Sequence, residues 1–189
     1  NADANELKRR GQLWVTQQAK KLYNIDKLFF STWSPPAWMK HDGYLTPDNF
    51  ASHGWLKPEF YQVFADYLVE FVRAYKAAGL DIYAISPVNE PNFEANWNSC
   101  RWEPEELADF IANYMGPTFE KQSVNAKIIF GELAQWSTLV LGAFNVVSAK
   151  KYVENVMDAN PGVAKYADIA AGHGYNIPYI PYEFPIVPY

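Results

Sequence analysis

The chain has 189 residues, of which 49% are hydrophobic, enough for one ordinary domain with a substantial core. The formal net charge is only −5 and the lysines and arginines are scattered, which argues against a nucleic-acid partner and a polybasic membrane contact. No apolar stretch reaches the length that crosses a bilayer, so we expect no membrane span. Cys100 is the only cysteine, and without a cysteine pair or a histidine cluster we expect no metal site and no other cofactor.

Strand-like and helix-like segments alternate, which predicts β/α units around a parallel sheet. Four strands are too few to close an eight-stranded barrel, so the chain is either a doubly wound sheet or a part of a larger barrel. In chain order the predicted elements are a helix over residues 5–23, a buried strand over 28–32, a helix with apolar residues at helical spacing from Phe60 to Tyr75, a strand over 80–85, a helix that Pro104 opens and Gly116-Pro117 ends, a strand over 127–131, a helix over 147–157 and a strand over 168–171.

The most informative motif places an amide and a carboxyl group at the end of a strand. Asn89 and Glu90 follow the strand predicted over residues 80–85, and Pro91 behind them cannot continue a ladder. In a β/α barrel the carboxyl ends of the strands carry the chemistry, because the βα loops converge there. A carboxyl group in that place is suited to acid/base catalysis on a sugar.

Aromatic residues make up 17% of the chain, and rings beyond the needs of a core often stack on sugars or line clefts. Trp33 and Trp38 flank two prolines that stiffen their loop, which favours contact with a substrate. Trp136, Trp97 and Trp102 are further candidates. A core that is simply rich in aromatic residues remains the alternative for each ring.

Three segments resemble glycoside hydrolase family 30, which includes glucosylceramidases, endo-xylanases and endo-β-1,6-glucanases. They are residues 29–40 (FFSTWSPPAWMK), 84–91 (AISPVNEP) and 169–175 (IAAGHGY), and they resemble the third, fourth and sixth strands of that family, in order and with similar spacing. The resemblance implies an α/β fold: an incomplete (β/α)8 TIM barrel from about the second helix through the sixth strand. Residues 1–189 would then be a partial catalytic domain, with the seventh and eighth strands and the family's β-sandwich outside the chain.

The resemblance also implies a retaining hydrolase that acts on a β-linked glycoside or polysaccharide. Glu90 matches the family's general acid/base, whereas the nucleophile is a glutamate at the end of the seventh strand, so this chain alone is expected to be inactive. Asn89 is expected to bind the 2-hydroxyl of the sugar. His173 is expected to line the site of the glycone. Tyr175 is expected to form a hydrogen bond with the nucleophile. Glu132, beside Glu90 around the barrel, is expected either to contact the substrate or to act on Glu90 through its charge, rather than to attack the sugar.

Two other functions remain open. A carbohydrate-binding module would use the tryptophan-rich surface without chemistry, and a lyase or aldolase would need a Schiff-base lysine or a metal cluster, neither of which the sequence indicates. The expected partner is an oligosaccharide or polysaccharide. Unpaired sheet edges predict association with a second copy or with the missing part of the barrel. The resemblance implies a secreted or periplasmic protein, although the chain carries no signal-peptide pattern.

Overall fold

The backbone forms a parallel sheet with helices packed against it. A computed structural model describes residues 11–46, 54–134, 136, 139–141, 144–146 and 148–174. The strands are β1 (Leu28–Ser31), β2 (Ile82–Ser86), β3 (Lys127–Leu133), β4 (Leu139–Leu141), β5 (Phe144–Val146) and β6 (Ala167–Gly172). Four of them form one sheet in the order β1, β2, β3, β6, and every neighbouring pair is parallel. The four strands predicted from the sequence are confirmed, whereas the antiparallel pair β4 and β5 was not predicted.

The register brings the carboxyl ends of the four strands to one edge. Ser31 pairs with Ser86, and Gly131 in β3 pairs with Ala171 in β6. Because parallel strands all end on the same side, the loops that follow them meet there. The described residues that follow β1, β2, β3 and β6 therefore meet at this edge.

The helices are α1 (Gln12–Tyr23), α2 (Tyr61–Ala77), α3 (Pro104–Asp109), α4 (Gly116–Lys121) and α5 (Ala149–Ala159), with a π-helical segment at Phe110–Met115. The long amphipathic helix predicted from Phe60 to Tyr75 is confirmed as α2, which a short 3₁₀ turn precedes at Pro58–Phe60. Its rings meet the sheet directly: Phe30 in β1 packs edge-on against Phe71 and Tyr75. Burial of this apolar stripe stabilises the helix more than its intrinsic propensity does.

The expectation that the first strand is buried was wrong. Phe30 points to the helices, but Phe29, which alternates with it, is 67% exposed. Successive side chains of a strand point to opposite faces, so the second face of the sheet is open at this position. In a closed barrel the same face would point to the interior.

The prediction that Gly116-Pro117 ends a helix was also wrong. The chain continues helically from α3 through the π-helical segment into α4, because the amide of Gly116 reaches back five residues to the carbonyl of Ile111. This wider turn accommodates Pro117, which has no amide hydrogen to donate. The ring of Tyr166 occupies the space that a Cβ at Gly116 would need, so a glycine there serves packing.

Among the described residues, no helix is both long and apolar enough to span a membrane.

Candidate active site

Glu90 is held by the backbones of both neighbouring strands. Its amide donates to the carbonyl of Glu132 in β3 at 3.2 Å, and the amide of Asn89 donates to the carbonyl of Thr32, just past β1, at 2.8 Å. The Ser86 hydroxyl closes the turn by donating to the carbonyl of Val88 at 3.0 Å. The loop after β2 is therefore fixed across the carboxyl edge of the sheet, with Asn89 bonded to the residue after β1 and Glu90 bonded to β3.

Both carboxylates at this edge have left-handed backbone conformations, with φ 47° at Glu90 and φ 50° at Glu132. The other described non-glycine residues with positive φ are Asn24, which caps the end of α1, and Ser123, just beyond α4. Helix ends commonly adopt this conformation, but the end of a strand does not require it. Such conformations cost about 1–3 kcal/mol and cluster at functional sites, where the surrounding structure enforces them.

His173 comes from the last strand of the sheet to meet Glu90. The two are 83 residues apart in sequence, yet Nδ1 of His173 lies 3.1 Å from Oε1 of Glu90. The amide of His173 donates to the carbonyl of Leu133 at 2.8 Å, which fixes the backbone beside the end of β3. The side chains are 24% and 12% exposed, so both remain accessible from solvent. This contact can orient the Glu90 carboxyl group.

The carboxylate of Glu132 is oriented by Ser31, a residue that the sequence analysis did not single out. The hydroxyl of Ser31 donates to Oε2 of Glu132 at 2.5 Å across the sheet. Charge-assisted bonds of this kind are short and strong. Ser31 lies at the end of a strand and within the segment 29–40, but its partner lies 101 residues further along the chain.

Half-exposed rings lie on the loops after β1 and β2. The Trp38 loop is residues 32–46 and 54–57, and the Trp97 loop is residues 87–103. Trp33 and Trp38 are 48% and 57% exposed, and Trp38 also packs edge-on against Phe60. Phe93 and Trp97 form a second pair with ring centroids 6.2 Å apart, and each is nearly half exposed.

Two other tryptophans pack in or against the core. Trp102 is 1% exposed between Tyr61 and Phe110, so the expectation that it contacts substrate was wrong. Trp136 is partly buried against the core and against Gly172, and its role in substrate binding stays a prediction.

The structure brings Glu90, Asn89, Glu132 and His173 to one edge, with Trp33 and Trp38 on the loop that follows β1. Tyr175, the remaining predicted site residue, lies outside the described residues. In the part of the chain that the structure describes, no group of three or more histidine, cysteine or acidic side chains is placed to hold a metal ion.

Comparison with known proteins agrees with this architecture. Residues 5–174 match the model of the glycosyl hydrolase family 30 TIM-barrel domain. The chain belongs to glycosyl hydrolase family 30. Its four-stranded sheet and helices are consistent with part of the family's barrel.

The similar proteins carry several activities in their names. "Putative glucosylceramidase 3" of Caenorhabditis elegans is 26% identical over 172 residues, which cover 89% of this chain and 30% of that protein. "Glucuronoxylanase XynC" of Bacillus subtilis is 27% identical over 162 residues, with 84% and 32% covered. The solved structure of an endo-β1,6-glucanase matches with a TM-score of 0.73 and 26% identity, and covers 89% of this chain and 36% of that one. The chain thus spans about a third of the length of these relatives.

Proposed function

We propose that this chain is the section of a retaining β-glycosidase that supplies the general acid/base, and that Glu90 is that residue. The observation that supports the proposal best is the placement of Glu90 at the carboxyl edge of the sheet, 3.1 Å from His173. A general acid must hold its proton at a defined point beside the glycosidic oxygen. Backbone bonds to two strands and a side-chain bond to a third provide that fixed position.

Asn89 and His173 complete the proposed glycone side. Asn89 carries an amide beside Glu90 and would bind the 2-hydroxyl of the sugar, a bond that strengthens as positive charge develops on the ring. His173 would orient the Glu90 carboxyl group and border the same sugar. Tyr175, two residues further on, is proposed to form a hydrogen bond with the nucleophile.

The nucleophile is proposed to lie outside the chain. Retaining hydrolysis needs a second carboxyl group about 5–5.5 Å from the acid/base. Glu132 is a second glutamate at this edge of the sheet, but its carboxylate already accepts the Ser31 hydroxyl and is better suited to a sugar hydroxyl than to covalent attack. We therefore propose that residues 1–189 alone bind carbohydrate without cleaving it.

The proposed substrate is a β-linked glycoside or polysaccharide. The three similar proteins are named for glucosylceramide, glucuronoxylan and β-1,6-glucan, so the family alone does not select a sugar. Half-exposed rings on two loops favour an extended sugar chain, because flat rings stack on the apolar faces of sugars. By the same resemblance we propose that the protein acts outside the cytoplasm.

Glu90→Ala, in a polypeptide that joins residues 1–189 to the remaining strands of a family barrel, tests the catalytic role. With a substrate that has a poor leaving group, kcat/KM should fall by about 10²–10⁴, because the glycosidic oxygen needs a proton as it departs. With a dinitrophenyl glycoside the first step should survive, and azide should restore turnover by attacking the glycosyl intermediate without a base.

The matched control is Glu105→Ala, which changes an exposed glutamate in the first turn of α3 and should retain normal rates. Equal losses with both leaving groups and no acceleration by azide would contradict the role of Glu90. Carbohydrate binding with no cleavage by the completed barrel would instead support the binding-module alternative.

A further inference from the structure

The ammonium group of Lys40 is enclosed between two loops. The side chain is fully buried, and Nζ donates to the carbonyl of Ser99 at 2.8 Å and to that of Leu45 at 3.3 Å. Asp42 lies nearby, with Oδ1 3.9 Å from Nζ. Burial lowers the pKa of Lys40, and the neighbouring acidic groups, Asp42 among them, oppose that shift. A buried ammonium is costly unless such partners surround it.

The two carbonyls belong to different loops. Leu45 is part of the Trp38 loop and Ser99 is part of the Trp97 loop, so Lys40 bonds to both. A backbone hydrogen bond also joins the two loops here, because the amide of Ser99 donates to the carbonyl of Leu45 at 3.2 Å. Beside it the Thr46 hydroxyl donates to Oδ1 of Asn98 at 3.0 Å. Lys40 therefore lies behind a set of hydrogen bonds that joins the two loops.

A second set of hydrogen bonds between the two loops lies at Gly54. Its amide donates to Oε1 of Glu94 at 3.3 Å, and its carbonyl accepts from the amide of Arg101 at 3.3 Å. The Trp97 loop is also closed at its base, where the amide of Trp102 donates to the carbonyl of Pro91 at 2.8 Å. Its two ends are thus close together, and its outer part is held by the Trp38 loop.

Two of the exposed rings are close in sequence to the Lys40 contacts. Lys40 follows Trp38 by two residues, and Ser99 follows Trp97 by two residues. We propose that Lys40 is a positioning residue: its ammonium ties the Trp97 loop to the Trp38 loop and so sets the distance between the rings that grip a sugar chain. This inference rests on the proposed function, because it assigns those rings to the carbohydrate cleft.

Lysine has the properties that this contact needs. Its ammonium is a compact charge with three donors on a flexible stem, which can reach one carbonyl from each of two loops. Methionine fills a similar volume but has no donor, so Lys40→Met would leave the carbonyls of Leu45 and Ser99 without this partner. Hydrogen bonds to charged groups contribute more than neutral ones, so the loops should open more often.

Hydrogen–deuterium exchange on the 189-residue chain tests the inference locally. In Lys40→Met, amides of residues 41–46 and 92–101 should exchange about tenfold faster or more, whereas those of α2 and β3 should not change. Lys121→Met, an exposed lysine at the end of α4, is the matched control and should alter neither set. Lys40→Met/Asp42→Asn is the second variant, because it removes the carboxylate that would lose its counter-charge.

Each result decides the role of Lys40. Faster exchange confined to the two loops supports positioning. Unchanged loop exchange in both Lys40 variants would overturn it, and so would an equal increase in α2, because that pattern means a general loss of stability.

Binding of xylohexaose or a β-1,6-linked glucohexaose, followed by tryptophan fluorescence, provides the second readout. Affinity about tenfold weaker in Lys40→Met supports the inference, whereas unchanged affinity despite loosened loops overturns it. If the unaltered chain binds neither sugar, the proposed function fails on that ground, while hydrogen exchange still decides whether Lys40 holds the loops.

Discussion

Gly131 is the residue whose substitution tests the architecture of the site most directly. It has φ 102°, and a Cβ placed on it would lie 2.5 Å from the carbonyl oxygen of Ala171 in the neighbouring strand. Ordinary contact begins near 3.4 Å, so β6 would have to move by about 1 Å. His173 follows Ala171 by two residues, and that shift would also disturb its contact with Glu90.

The magnitude follows from two separable costs. An alanine forced into the left-handed region costs about 1–2 kcal/mol, and overpacking against a neighbouring strand typically costs about 1–3 kcal/mol more. Gly131→Ala should therefore lower the free energy of unfolding by about 2–5 kcal/mol. Gly79→Ala isolates the first cost, because Gly79 has φ 82° just beyond α2 and its Cβ would meet nothing within 4 Å.

Urea unfolding followed by circular dichroism measures both variants under the same conditions. We expect Gly131→Ala to be the more destabilised by about 1–3 kcal/mol. Equal losses in the two variants would refute the steric reasoning and would mean that β3 and β6 are not packed as closely as the structure has them at Gly131.

Two further predictions concern a buried thiol and the open face of the sheet. Burial raises the pKa of the Cys100 thiol from 9.0 to about 12, so its contribution to stability is complete below about pH 9 and is lost as pH rises toward 12. Burial also raises the pKa of Tyr61 and of Tyr152, so the test compares two chains. Between pH 9 and 11, Cys100→Ala should lose less stability than the unaltered chain. Equal slopes of the free energy of unfolding against pH in the two chains would count against the prediction. We also expect the chain to self-associate through the exposed face at Phe29, so that sedimentation velocity shows smaller species for Phe29→Ser, and a monomeric unaltered chain would contradict this.

Local patterns were sufficient for much of the fold. The stripe from Phe60 to Tyr75 predicted α2, because a helix places residues three and four apart on one face whatever the rest of the chain does. The run before Ser86 predicted a strand for the same kind of reason, and with it the position of Glu90 at a strand end. The continuation of the helix through Gly116-Pro117 could not be predicted, because Gly-Pro usually ends a helix and local sequence gives no sign of the π-helical turn that accommodates the proline.

The site shows the same division. Sequence order placed Asn89 and Glu90 in one loop, but the bond from Ser31 to Glu132 joins residues 101 positions apart. Trp97 and Trp102 lie in one loop, and nothing in their spacing reveals that the first is half exposed and the second is buried. Lys40 would be expected at the surface from its type alone, and its ammonium group is buried because the Trp38 loop and the Trp97 loop meet around it.

The sequence by itself determined the order along the chain of the four strands of the parallel sheet and of the long helices between them, the family, and the carboxyl group at the end of a central strand, because these follow from local periodicity and short motifs. Only the tertiary structure decided which rings face solvent, which carboxylate meets a serine or a histidine, and which lysine is buried. Those outcomes depend on segments tens of residues apart that pack together, and burial and hydrogen bonding are properties of that packing rather than of the residue.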